Sequence, residues 1–120
     1  MANPNIVAVS SIYANTVMDA DVAASAVSLL TCGSNKVQKI NSLVIANIDG
    51  SNAASIDVWI TRSSADYYLA KTISVPADAT LVVIDKNMGL YLMESDILKI
   101  QASAAGDLSA VRSYEEIDDA

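Results

Sequence analysis

Carboxylates at the ends of short apolar runs are the side chains whose spacing most invites a chemical reading. Asp78, Asp85, Glu94, Asp96 and Asp107 all fall there. Converging loops could offer such groups to Ca²⁺, which takes about six to eight oxygen ligands. No Asp-x-Asp-x-Asp-Gly loop occurs, and turn carboxylates ordinarily bond their own backbone. Glu94 and Asp96 straddle one turn, but acid/base work on a sugar needs a stacking surface that so few aromatics hardly supply. The chain has no histidine, which removes the commonest general base and the commonest metal ligand. A serine nucleophile would then need a lysine partner. Ser95 and Lys99, four residues apart, lie about 13 Å from each other along a strand. The glycines, at 33, 50, 89 and 106, are too dispersed to cradle a phosphate. The single cysteine, Cys32, reads as a small hydrophobe near a strand end. No catalytic residue, cofactor-binding residue or metal ligand is assigned, and the chain reads as a non-enzyme.

Charge narrows the partners. The formal net charge is −7 and the isoelectric point near 4.2. The seven Lys and Arg are scattered rather than gathered into a patch, so a phosphate backbone is not an expected partner. The apolar runs Leu43–Ala46 and Leu81–Ile84 are far short of the ~18 residues a membrane-spanning helix needs, so no membrane is expected either. Met1-Ala2-Asn3-Pro4-Asn5 carries no basic segment followed by an apolar one, as a secretory leader would. Synthesis in a reducing cytosol is the expectation.

The elements that must position any surface are strands. Apolar and polar residues alternate in short runs separated by Gly, Asn, Asp, Ser and Pro, the period of half-buried strands. Ser55–Thr61 is the clearest, with Ile56, Val58 and Ile60 on one face and Asp57, Trp59 and Thr61 on the other. Lys36–Ile48 is the longest; its alternation places Ile40, Val44, Ala46 and Ile48 on one face and Leu43 and Ile45 on the other. Asp49-Gly50-Ser51-Asn52 should then close a hairpin, with Gly50 at positive φ and Asp49 bonding its own backbone. Val22–Cys32 is read as a strand with a register change, followed by a turn at Gly33-Ser34-Asn35. Arg62–Asp66 is read as a polar loop. Tyr67–Val75 should alternate Leu69, Ile73 and Val75 before Pro76 ends the ladder. Thr80–Asp85, Leu90–Met93, Asp96–Ala102 and Leu108–Glu116 complete the set.

Eight or nine short strands predict an all-β, single-domain antiparallel β-sandwich of jelly-roll type. Residues 1–35 are an N-terminal arm and first strands within the same domain. Residues 36–117 form the sandwich body, and residues 118–120 end an acidic tail, Glu115–Ala120, expected to be solvated and frayed. Scaling laws give a folded surface of roughly 6,200 Å² against roughly 18,000 Å² unfolded, enough for one core.

Hydrophobic residues make up 52% of the chain although aromatics are only 5%. That excess of Ala, Val, Ile and Leu suggests oligomerisation, because stable interfaces resemble a core cut in half. Trp59, pointing away from Ile56, Val58 and Ile60, is a candidate interface anchor; covering by the N-terminal arm is the alternative. Of the adjacent Tyr67 and Tyr68, only one can face inward; the other is read as an ordinary amphipathic surface tyrosine or as a contact at a partner surface, for which Tyr68 is the candidate. Ile6, Val9, Ile12 and Tyr13 of the arm are further candidates.

Read as whole segments, 39-KINSLVIANIDGSNAA-54, 72-TISVPADATLVVIDK-86, 91-YLMESDIL-98 and the stretch ending in Ser113-Tyr114-Glu115-Glu116 resemble small virion structural proteins of tailed phages, especially phages of marine bacteria and cyanobacteria. The resemblance covers residues 39–116 and is less distinct in the N-terminal third. It implies a virion component assembled in the host cytoplasm, with no active-site residues and no cofactor. In first place it implies a capsid decoration (cement) protein, a homo-oligomer with the trimer favoured, seated on the major capsid protein or another virion protein. A neck, tail or fibre-attachment component is the second expectation, and a glycan-binding β-sandwich module using Trp59 and tyrosines the third.

Overall fold

Strands form where the alternation predicts them. The computed structural model describes residues 11–85, 87–88 and 90–118. Its strands are β1 (Ser11–Asp19), β2 (Val27–Thr31), β3 (Lys36–Asn47), β4 (Ala54–Arg62), β5 (Ala65–Val75), β6 (Thr80–Ile84), β7 (Leu90–Leu92), β8 (Ile97–Ala102) and β9 (Leu108–Asp118). One sheet runs β1-β9-β3-β6, with β7 pairing the other half of β3; the second runs β2-β8-β4-β5. Every pairing is antiparallel. The fold is an all-β jelly roll.

The pairings nest about one point. Arg62 pairs with Ala65, Ile56 with Ile73, Val44 with Val82, Gln38 with Leu92, Val27 with Ile100 and Ser11 with Asp118. The chain is one long hairpin folded at Ser63-Ser64. Rolling it up lays β9 beside β3 and β8 beside β4. Both turn residues have left-handed φ, 51° and 65°, the two-residue turn whose twist matches the flanking strands. The turn is tighter than the expected loop over Arg62–Asp66, and β5 therefore starts at Ala65.

Between the sheets Leu43, Ile45, Ile56, Val58, Leu98, Ile100 and Leu108 are fully buried. The total accessible surface, 6160 Å², is that of one closed core. Ser11–Asp19, including Ile12 and Tyr13, forms a full strand on β9 rather than a loose arm. Ile6 and Val9 lie outside the described residues.

Several local expectations are corrected. β3 and β4 belong to different sheets, so Asp49–Asn52 is a crossover and not a hairpin. Gly50 is not among the residues with positive φ. The crossover is held instead by buried Asn47, whose Nδ2 donates to the carbonyls of Asn52 (3.0 Å) and Val75 (2.9 Å) while its Oδ1 accepts from the Asp49 N–H. Asp49 does bond its own backbone, through the Ser51 N–H at 2.8 Å. A bulge between Ile40 and Ser42 turns Ile40 to the core face with Leu43 and Ile45, leaving Val44 and Ala46 outside. Two bulges in the β4–β5 pairing break the expected alternation of β5. There Ala70 and Val75 are buried, while Leu69 and Ile73 are exposed. Only Val27–Thr31 of Val22–Cys32 is strand; Val22 reaches the core from the preceding loop, its N–H bonded to the Leu108 carbonyl at 2.8 Å. The acidic stretch is ordered through Asp118 in β9, with Ile117 buried and Glu116 paired to Lys36 at 3.1 Å.

Four polar side chains are buried among the described residues: Gln38, Asn47, Asp96 and Arg112. Arg112 of β9 faces inward in register with Leu43 and is fully buried. Its guanidinium carbon lies 4.2 Å from the centroid of the Tyr114 ring. None of its three side-chain nitrogens finds an acceptor among the described residues. Burial pulls its pKa down to about 10. A cation–π contact offsets only part of the cost of desolvating a guanidinium.

Two stability measurements check this description. Non-glycine residues in left-handed conformation cost about 1–2 kcal/mol each, so Ser63→Asn with Ser64→Gly should stabilise the fold by about 1–2 kcal/mol. A raised urea midpoint with an unchanged slope is the expected result. Arg112→Met should be neutral or stabilising by about 1–3 kcal/mol at pH 7, whereas a buried arginine with a full set of acceptors would make it destabilising.

Candidate assembly interface

The outer face of the first sheet carries an apolar row. Val44, between inward Leu43 and Ile45, must point away from the core. Its partners in register are Val111 of β9 and Val82 of β6, and Val111 pairs in turn with Met18 of β1. Met18-Val111-Val44-Val82 is thus a continuous apolar row across four strands. Met18, Val82 and Val111 are 72%, 54% and 40% exposed. On the same face a second row joins Ile12, Ile117 and Val37; Ile12 is exposed while the other two are buried. Tyr13 points to the opposite face, in register with Glu116 and Gln38, and is exposed.

The second sheet carries the Trp59–Tyr68 cluster. Trp59 does point away from Ile56 and Val58, yet it is only 5% exposed. Tyr68, its partner in register, covers it with ring centroids 5.3 Å apart and planes tilted by 32°. Tyr68 itself is exposed, and Lys71 Nζ sits 4.6 Å from the centroid of its ring. The Trp59 indole N–H has no acceptor among the described residues. This cluster is built by the β5 bulge. Asp57 Oδ1 accepts the Thr72 N–H at 2.6 Å, and Asp57 Oδ2 lies 3.7 Å from Lys71 Nζ. Thr72 is held at φ 52°, a strained conformation for a β-branched residue. The structure therefore brings Trp59 and Tyr68 together on one sheet and places Ile12 and Tyr13 on the edge strand of the other. Tyr67 instead lines an open cavity of about 330 Å³ with Ile60, Arg62, Leu90 and Tyr91.

Sequence reasoning missed the Met18-Val111-Val44-Val82 row. Its signal was the apolar character of both faces of Leu43–Ala46 and Leu81–Ile84, which alternation alone cannot assign to one neighbour.

Three of the carboxylates singled out by spacing, Asp85, Glu94 and Asp96, have structural partners. Asp96 is buried and forms a two-pronged pair with Arg62, Nε to Oδ1 at 2.7 Å and Nη2 to Oδ2 at 2.5 Å. The Met93 N–H donates to the same carboxylate at 2.8 Å. Burial raises the Asp96 pKa, but the Arg62 and Met93 hydrogen bonds outweigh it and hold the group below the usual carboxylate range. Glu94 accepts the Asn35 N–H and Asp85 the Asn87 N–H. Asp107 is pushed up by burial and by its neighbour Asp49. No three acidic or thiol groups among the described residues are placed to hold a metal ion. Cys32 is buried, with Sγ 3.3 Å from the Lys36 carbonyl and 3.5 Å from that of Leu92. Burial, with the charges of Asp96 and Glu116, pushes its thiol up to about 11.

Comparison with known proteins gives likeness of shape. An endospore appendage protein of Bacillus, from a family of disulfide-linked pili, superposes with a TM-score of 0.54 and 16% identity over 92% of this chain and 90% of its own. The VP2 subviral particle of infectious bursal disease virus gives a TM-score of 0.48 and 14% identity over 92% of this chain and 34% of that one. A pentameric capsid protein from metagenomic phage sequences gives 0.43 and 17%, over 87% and 62%. At these identities the first establishes the fold alone, and the two viral likenesses are too loose to add to it. No family model and no curated protein matches the chain.

The Arg62–Asp96 pair sets an acid dependence. A carboxylate with a depressed folded pKa contributes stability above its unfolded value, and that contribution is lost as pH falls through the folded pKa. Arg62→Ala leaves Asp96 buried without its cation. Arg62 is half exposed, so the loss at pH 7 should be about 2 kcal/mol, below the figure for fully buried pairs. The difference between the variant and the parent should shrink below about pH 4. Urea titrations across pH 3–7 measure it.

Proposed function

We propose that this chain is a non-enzymatic structural subunit of a tailed-phage virion, and that it serves as a capsid decoration (cement) protein on the assembled head. The observation that carries the reading is the Met18-Val111-Val44-Val82 row, an apolar surface left open after the core is complete. Single exposed apolar residues are ordinary, but contiguous ones mark contact surfaces. The resemblance of residues 39–116 to phage virion proteins supplies the setting.

The mechanism is linkage. A protein that binds the closed lattice and not its free subunits stabilises the lattice by mass action. Several weak contacts per oligomer add through avidity. An acidic surface suits this task, because it discourages premature binding to nucleic acid while the head fills.

Two other readings have less support. Trp59 lies under Tyr68 and offers no open ring for stacking on a sugar, which weakens the glycan-binding alternative. Linkage of copies through cystine, as in the disulfide-linked pili to which the Bacillus protein belongs, has no basis here, since the one cysteine is buried. The neck, tail or fibre reading differs from the preferred one in copy number.

Electron cryo-microscopy of intact particles tests the proposal. On the order of hundreds of copies spread over the shell are expected, together with a lower heat resistance of shells stripped of the protein. A single ring of copies at one vertex would replace the cement role by a neck or fibre role. Absence from purified particles would defeat the virion reading altogether.

A further inference from the structure

Among the described residues, four strand edges have no hydrogen-bonded neighbour in their sheet, and three carry features that discourage pairing with another chain. β2 has five residues and a bulge between Ser28 and Leu30. β5 is bulged twice, carries Asp66 and Lys71, and holds Thr72 at left-handed φ. The remaining edge of the first sheet is split between β6, of five residues, and β7, of three. Shortness, bulges and charge are the usual protections of an edge.

β1 has none of them. It runs nine residues, Ser11–Asp19, in unbroken register with β9. It contains no proline or glycine, and its one charged residue is Asp19 at the end. Residues 12–16 are exposed on both faces, and among the described residues it pairs on one side only.

Its sequence, SIYANTVMD, is also complementary to itself. Laid antiparallel on a second copy with Asn15 opposite Asn15, Ile12 meets Met18 on the outer face. On the other face Tyr13 meets Val17. Ala14 meets Thr16, Ser11 meets Asp19, and the two Asn15 amides face each other at the centre. Apolar meets apolar, an aromatic meets a β-branched residue, and no like charges oppose. A shift by one residue would put Ile12 against Val17 from the opposite face and lose these matches.

We infer that β1 pairs antiparallel with β1 of a second copy across a two-fold axis at Asn15, joining two first sheets into one continuous sheet. The inference rests on the assembly reading above and names its self-contact. The contact is the same patch used twice, so it closes at two copies. It therefore differs from the trimer implied by the phage resemblance, and within a larger assembly it would join neighbouring oligomers. It also makes the Met18-Val111-Val44-Val82 rows of two copies neighbours on one extended face.

Cysteine cross-linking of the full chain tests it. Asn15→Cys should give a covalent dimer under mild oxidation, because opposed residues in an antiparallel pair have Cβ atoms about 5 Å apart. Ala14→Cys and Thr16→Cys, each facing a different residue, should cross-link about tenfold less. Native Cys32 is buried and does not interfere. Asn15 is exposed, so these changes leave the fold intact. In parallel, Asn15→Asp and Asn15→Lys should each weaken self-association about tenfold, and their equimolar mixture should restore it as a heterodimer. Light scattering reads the mass against the 12.6 kDa chain. An oligomer in which Asn15→Cys does not cross-link, or in which Thr16→Cys cross-links as well, overturns the β1 contact and leaves the assembly reading standing. A strict monomer at all concentrations overturns the β1 contact, and absence from particles separately defeats the assembly reading.

Discussion

A two-residue turn sets which side chains meet throughout this molecule. Because the pairings nest about Ser63-Ser64, each strand of the first half finds its partner at nearly the same chain distance on the other side. Period-two side chains make that register consequential: a slip by one residue would send every core residue to the solvent face. The bulges at Ile40/Ser42 and along β5 are where nested register and curved sheet are reconciled, since each extra residue bends its strand. They also explain why Ile40 joins Leu43 in the core and why Leu69 leaves it.

Polar groups inside the sandwich mark the places where strands change sheets or end. Asn47 ties the β3–β4 crossover to the end of β5, and Asp96 ties the start of β8 to the end of β4 through Arg62. Both are well supplied with partners, so they restrict geometry as well as stabilise it. Arg112 is different. It occupies an inward position where, among the described residues, it meets the Tyr114 ring, which offsets only part of its desolvation cost.

Much of the fold was legible in the sequence because alternation is a local property. The all-β class, the strand count and the inward Ile56 and Val58 followed from it. What alternation could not reveal was partnership. Asp49–Asn52 looked like a hairpin because its residues suit a turn, yet the decisive group was Asn47, reaching Val75 across the sandwich. The bulge at Thr72 depended on a carboxylate fifteen positions away. Trp59 was rightly placed on the outer face, but its cover by Tyr68 required the β4–β5 register. The acidic end of β9 read as a tail because its charges are local, while its order comes from pairing to both β1 and β3.

That double pairing of β9 bears on biosynthesis. Among the described strands, β9 follows all the others in the chain yet lies between β1 and β3, and non-local ladders of this kind are slow to form. Neither sheet can close while β8 and β9 are still inside the ribosome. The nascent polypeptide must therefore wait, apolar rows uncovered, until β9 has emerged. Its low charge-to-apolar ratio makes that interval the time when self-adhesion in the wrong arrangement is most dangerous.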